Sequence, residues 1–245
     1  MNKKTSQDNI FASPLSEIVD FVFDENVVDV FPDMINRSVP GYSTVINMIG
    51  ILAQQYARPH TRLYDLGCSL GAASLSMRHR LTEEGCEIIS VDNAAAMIER
   101  LDKILQRDNS KTPVQTLCDD VQNVNIINAS VIVMNFTLQF IPLAERKNIM
   151  TKIYEGLNDG GCLILSEKLA FSDADENDMQ IAFHHAFKKS NGYSDLEIAQ
   201  KRSALENVLI PETKEMHIQR LKEAGFTQVF PWFQCFNFAS FIAIK

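Results

Sequence analysis

A chain of 245 residues, 46% hydrophobic and 22% charged, can bury a full core and is not disordered in composition. Its 31 acidic against 23 basic residues give a net charge of −8, which argues against a broad phosphate-binding face but leaves room for a local basic pocket. Five cysteines without a C-x-x-C pair offer no zinc site and no disulfide framework, and the polar start through Asp8 offers no signal peptide or membrane span. A reduced, cytoplasmic protein is expected.

Residues 1–61 do not alternate strand and helix. Phe21, Phe23, Val27, Val30, Phe31, Ile35, Val39 and Tyr42 supply apolar anchors. Residues 43–56 have helical periodicity, with Ile46, Ile49, Leu52 and Ala53 on one face, and Pro40-Gly41 marks a turn before them. This reads as a helical cover leading into a first strand at Arg62.

Residues 62–168 alternate strand and helix, which implies a parallel sheet with helices on both faces. Leu63-Tyr64-Asp65-Leu66 runs into Gly67-Cys68-Ser69-Leu70-Gly71, and a helix over 72–81 follows. The spacing is G-x-x-x-G, and an acid just before the turn would repel a pyrophosphate. That acid suits a cationic, hydroxyl-bearing ligand such as S-adenosylmethionine. The second strand ends at Asp92, roughly 25 residues on, where a carboxylate can accept from both ribose hydroxyls. The competing reading makes Asp92-Asn93 the cap of the helix over 95–108. The third strand, 114–118, ends at Asp119-Asp120, where a carboxylate could accept from an adenine amino group and the Val121 N–H could donate to a ring nitrogen. The fourth, 129–134, ends at Asn135. Four strands thus finish in polar residues along one sheet edge, the edge at which open α/β sheets bind ligands. Together they resemble the cofactor site of class I S-adenosylmethionine-dependent methyltransferases. A helix over 143–157, the turn Asn158-Asp159-Gly160-Gly161 and a fifth strand over 162–166 complete this part.

Residues 169–210 read as a helical insertion, with helices over 175–190 and 193–208. His184-His185 is better placed in an interface than on a metal, because adjacent helical residues point in different directions. Lys201-Arg202 near the end of the insertion reads either as a solvated face with an Arg202–Glu206 pair or as a guanidinium fork for a carboxylate. Residues 211–245 supply a helix over 211–224 closed by Gly225, then two alternating strands, 228–233 and 238–244, that form an antiparallel hairpin. The expected fold is therefore α/β: one doubly wound, mostly parallel sheet of about seven strands in a single domain.

The blocks Phe31-Pro32-Asp33-Met34-Ile35-Asn36-Arg37-Ser38-Val39-Pro40-Gly41-Tyr42, Tyr64 to Ala73, Asn135-Phe136-Thr137-Leu138-Gln139-Phe140, Asn191-Gly192-Tyr193-Ser194, Gln200-Lys201-Arg202 and Trp232 to Phe238 resemble the carboxy-S-adenosyl-L-methionine synthases. The resemblance runs from about Phe11 to the C-terminus. Departures are small: Ala94 stands where family members carry serine, and Asn158 to Gly161 replaces a proline-containing turn. The resemblance implies conversion of S-adenosylmethionine and prephenate into carboxy-S-adenosylmethionine, phenylpyruvate and water, by capture of prephenate-derived carbon dioxide on a sulfonium ylide. It implies a homodimer whose product serves a tRNA carboxymethyltransferase acting on wobble uridine, with no direct nucleic-acid contact and no metal. It also implies the cofactor-site residues Tyr42, Gly67, Cys68, Ser69, Asp92, Asn93, Asp120, Val121, Asn135 and Arg202, with Arg202 on the new carboxylate. An ordinary small-molecule methyltransferase and a non-catalytic cofactor-binding scaffold are the alternatives.

Overall fold

The computed structural model describes residues 7–15, 17 and 19–245. The first six residues, part of the stretch read above for a leader, lie outside them. Two helices open the fold, α1 (Glu25–Ser38) and α2 (Tyr42–Tyr56). The anchors of the cover were legible in the sequence, whereas α1 was not, because Pro32 sits inside it. A proline there forfeits one helical hydrogen bond. The Asp24 side chain, accepting from the Val27 N–H, and the burial of Val27, Val28, Val30 and Met34 hold the helix together regardless.

The alternating part follows as β1 (Arg62–Leu66), α3 (Ala72–Arg80), β2 (Glu87–Asp92), α4 (Ala95–Leu105), β3 (Val114–Cys118), β4 (Ala129–Asn135), α5 (Leu143–Gly156) and β5 (Leu157–Lys168). Next come α6 (Ala174–Ser190), α7 (Asp195–Leu205), α8 (Lys214–Ala224), β6 (Gln228–Cys235) and β7 (Phe238–Ile244). One seven-stranded sheet has the order β3-β2-β1-β4-β5-β7-β6. The first five strands are parallel, and β7 runs antiparallel to both β5 and β6. The strand order reverses beside β1, between β2 and β4, which opens a crevice beyond the carboxyl ends of these strands.

Successive strand residues face opposite ways. Leu63, Ile88, Val131, Val133 and Ile164 pack with Val45, Ile49, Ala73 and Met77 of α2 and α3. Tyr64, Ile89, Ile132, Met134 and Leu163 pack with Ile149, Met150 and Ile153 of α5 and Leu221 of α8. Both faces are covered, which is why these strands read as continuous apolar runs.

Three element starts differ from the sequence reading by two or more residues. The Asn158 to Gly161 stretch is a bulge within β5, not a turn before it. The register slips between Ala129↔Leu157 and Val131↔Cys162, and Gly160 and Gly161 exchange backbone hydrogen bonds with Lys245 at the end of β7. Helix α7 starts at Asp195 because Ser194 and Glu197 form a reciprocal capping box, which leaves Tyr193 free to turn inward. Helix α8 starts at Lys214, where the Thr213 side chain accepts from the Met216 N–H. The connection between α7 and α8 is pinned to α5 by a buried ion cluster. Glu212 accepts from Arg146 at 2.5 Å and also from Arg220, and Arg146 donates further to the Ile141, Gln139 and Ile210 carbonyls.

Candidate active site

A cavity of about 300 Å³ lies beyond the carboxyl ends of β1, β2, β4 and β5. On one side, the β1–α3 turn is forced into shape by glycine. Gly67 has φ +80°, and a Cβ there would stand 2.2 Å from Thr137 Oγ1, so only glycine lets the turn pass this close to the loop after β4. The Gly67 and Cys68 N–H groups both donate to the Val91 carbonyl, which ties the turn to β2.

Three carboxylates line this side. Asp65 accepts at one oxygen from the Ser74 N–H at 2.9 Å and the Ser74 hydroxyl at 2.5 Å. It therefore anchors the first turn of α3, and burial lifts its carboxyl to about 6. The sequence reading aimed this acid at a cationic ligand. The structure places it in the cavity wall with one oxygen already committed. Asp92 accepts from the Ser69 N–H at 2.8 Å and the Ala94 N–H at 3.0 Å, one at each oxygen. The helix cap of α4 is Ala94, without a side-chain bond, so Asp92 is not the cap that the competing reading made it. Burial raises its carboxyl. Asp120, exposed, accepts from the Asn93 side chain at 2.8 Å, while Asp119 turns away to hold Asn123.

Nine of the ten positions singled out by resemblance line this single cavity: Tyr42, Gly67, Cys68, Ser69, Asp92, Asn93, Asp120, Val121 and Asn135. The buried Asn135 Oδ1 has no partner among the described residues, which fits an acceptor waiting for a ligand donor. Burial pushes the Tyr42 phenol well up, with Asp65 adding to it. Arg202 is the exception. It is exposed on α7, does not line the cavity, and makes no ion pair with Glu206 or any other described residue. It still stands close enough to the mouth that its charge helps to depress Lys168 and His185.

The opposite side is basic, and sequence reasoning missed it. Lys168 ends β5, and Lys188 on α6 and Lys201 on α7 join it in the wall. Lys201 reaches Asp8 at 3.8 Å and the Ser38 hydroxyl at 3.4 Å. Asp8 in turn accepts from the Tyr193 hydroxyl at 2.5 Å. His184, expected in an interface, is instead buried in the wall, with Nε2 at 2.8 Å from the Ser38 carbonyl and its ring against Phe238. Burial drives its pKa down to about 3, so the ring is neutral. Tyr42, Phe136 and Phe238 form an aromatic band between the acidic and basic sides. Lys168 was findable, because it ends the fifth strand at the same edge as the other polar termini. Lys188 and Lys201 carry no local signal. Among the described residues, no group of three His, Cys, Asp or Glu could hold a metal ion, and no helix is long and apolar enough to cross a membrane.

A strand–glycine turn–helix with an acid ending the second strand and another just past the third, in this sheet order, defines a methyltransferase-fold enzyme. A family profile described as a methyltransferase domain matches residues 63–161. A putative S-adenosyl-L-methionine-dependent methyltransferase from Methanococcus maripaludis superposes with a TM-score of 0.60 at 19% identity, over 95% of this chain and 97% of that one. Human N-acetylserotonin methyltransferase, solved in complex with SAM, superposes with a TM-score of 0.60 at 14% identity, over 96% of this chain and 61% of that one. Those two show the fold alone. The carboxy-S-adenosyl-L-methionine synthase of Geobacter sp. (strain M21) is 59% identical over the full length of both chains. The chain belongs to the carboxy-S-adenosyl-L-methionine synthase family.

Proposed function

We propose that the enzyme converts S-adenosyl-L-methionine and prephenate into carboxy-S-adenosyl-L-methionine, phenylpyruvate and water. We further read it as a single-domain, cytoplasmic homodimer whose product supplies a separate tRNA carboxymethyltransferase acting on wobble uridine. The observation that carries this reading is the convergence of nine resemblance-derived positions on one cavity with acids on one side and ammoniums on the other. A cationic sulfonium ligand and an anionic co-substrate ask for such a division.

S-adenosylmethionine supplies a sulfonium that acidifies its methyl protons, and prephenate supplies carbon dioxide and a hydroxide base as its ring aromatises. The chain's residues then have a positioning task. Asp92 would accept from the ribose hydroxyls, Asp120 and the Val121 N–H would meet the adenine edge, and the unpartnered Asn135 Oδ1 would take a donor from the amino-acid end. The aromatic and apolar wall from Phe21, Phe23, Phe31 and Phe140 would exclude bulk water, so that carbon dioxide is captured before it escapes. Arg202 would meet the new carboxylate, by swinging into the mouth of its own subunit or by reaching the site of a second copy.

The test is the mass of the nucleoside that copurifies, followed by turnover with prephenate. A species heavier than S-adenosylmethionine by one carboxylate, and its formation from the two substrates, is the expected result. Copurified S-adenosylhomocysteine with no prephenate-dependent product would favour an ordinary methyltransferase. Cofactor binding without any turnover would leave a scaffold.

A further inference from the structure

The basic side of the cavity poses an energetic problem that the fold alone does not answer. Lys188 and Lys201 are each only 6% exposed, and Lys168 is half-buried beside them. Burying an ammonium is costly unless an anion meets it, and methionine would fill the same space without that cost. The anions nearby are already committed. Asp8 takes the Tyr193 hydroxyl and faces Lys201, Asp33 pairs with Arg37 at 3.0 Å, and Glu197 closes the capping box of α7. Lys168 and Lys188 have no salt bridge and no side-chain hydrogen bond among the described residues, and both ammonium-bearing chains line the cavity. Lys188 has only the Tyr193 ring, 5.3 Å away.

These charges come from separate parts of the chain. A strand end, two helices and the N-terminal segment converge here, with Tyr193 stacked under Arg37 at 3.9 Å as the common floor. Across the cavity stand the three carboxylates that suit a nucleoside with a cationic centre. An ammonium pair opposite them selects a second molecule of opposite sign.

We propose that Lys168 and Lys188 are the carboxylate-binding pair for an anionic co-substrate, and that Lys201 is a positioning residue held behind them by Asp8. This rests on the two-substrate reading above. A small organic acid with one carboxylate on this pair would lie with its hydrocarbon part against Phe136, Phe238 and the neutral His184.

The test uses the full chain and separates the two molecules. S-adenosylhomocysteine carries the ribose and adenine that meet the acidic side and also an amino-acid carboxylate, so its affinity reports on that side, on folding and on any use of the lysines by the nucleoside itself. With the enzyme saturated in S-adenosylhomocysteine, calorimetry measures binding of phenylpyruvate and of prephenate to the wild type, Lys168→Met, Lys188→Met and Lys188→Arg. Each methionine variant should bind both acids at least tenfold more weakly, with S-adenosylhomocysteine affinity within twofold of wild type. Lys188→Arg should recover part of the loss. Unchanged acid affinity in both methionine variants would overturn the assignment, as would an equal loss of S-adenosylhomocysteine affinity. Failure of the wild type to bind either acid would overturn it too. If the acids bind as expected but no carboxylated nucleoside forms, the subsite stands and the synthase reading falls.

Discussion

The two sides of the cavity are built by different means. The acidic side is local: Asp65 is next to last in β1, Asp92 ends β2, Asp120 follows β3 by two residues, and their places follow from the sheet. The basic side is assembled from residues 168, 188 and 201 with Asp8 behind them, and it is complete only once β5, α6, α7 and the N-terminal segment are seated together. A site can therefore be half a property of a motif and half a property of tertiary packing, and the two halves should fail differently.

Asp92→Ala should do the most damage on the acidic side. Losing hydrogen bonds from two ribose hydroxyls to a charged acceptor should cost about 3 kcal/mol or more of nucleoside affinity. Calorimetry with S-adenosylhomocysteine on a variant that keeps its circular-dichroism spectrum would check this. Near-wild-type affinity would reduce Asp92 to a brace between Ser69 and Ala94.

Arg202→Ala sharpens the division at the mouth. A fixed cation disfavours the sulfonium substrate and favours a product with a carboxylate beside the sulfur. The variant should lose roughly 1.5–3 kcal/mol more affinity for carboxy-S-adenosylmethionine than for S-adenosylmethionine. Arg202→Lys should restore only part, since an ammonium lacks the planar fork. Equal losses for both ligands would remove Arg202 from the site.

The sides should also differ in pH. Burial depresses Lys188 to about 7 and Lys201 to about 8 in the free enzyme, the latter against the pull of Asp8, so these ammoniums lose their protons as pH rises through that range. Lys168, also lowered by burial, together with Asp8, Glu197, His185 and Tyr193, faces the same cluster. The KM for prephenate should therefore rise several-fold between pH 6.5 and 8.5. S-adenosylhomocysteine affinity should stay flat over the same window. A flat prephenate KM, or the same slope persisting in Lys188→Met, would show that Lys188 is not the titrating group.

The smallest expected effect is none. With a net charge of −8 and three of its lysines in the wall of an interior cavity, the protein alone should not shift tRNA in a gel at physiological salt. Submicromolar binding with a steep salt slope would break the claim that the basic side serves a small molecule.

The order of strands and helices and the sheet edge with its polar strand ends were readable because strand periodicity and glycine turns carry their own geometry, whereas the full set of nine cavity residues, Tyr42 among them, came from the family resemblance. Lys201-Arg202 shows where reading stopped. From the residues alone the pair stands open between a solvated face and a guanidinium fork, and the resemblance gives the role to Arg202; neighbouring helical residues point about 100° apart. Here the lysine goes in and the arginine goes out. Which member faces inward depends on what α7 packs against, and part of that surface comes from the N-terminal segment. Likewise, the turn expected before β5 became a bulge because β7, from the far end of the chain, satisfies its backbone.

The seating of that N-terminal segment sets a timetable for synthesis. Gln200 holds the Leu15 N–H and the Phe11 and Ser13 carbonyls, and Tyr193 holds Asp8, across 185 or more residues of chain. These early residues are thus among the last to find their partners, since distant contacts carry the greatest closure cost. A nascent chain stalled before α7 could already form the acidic strand ends, yet its far wall would lack Lys201 and Phe238. Such a chain should hold S-adenosylhomocysteine weakly and have no prephenate-dependent turnover, and a ribosome-bound fragment ending near residue 190 would reveal whether it does.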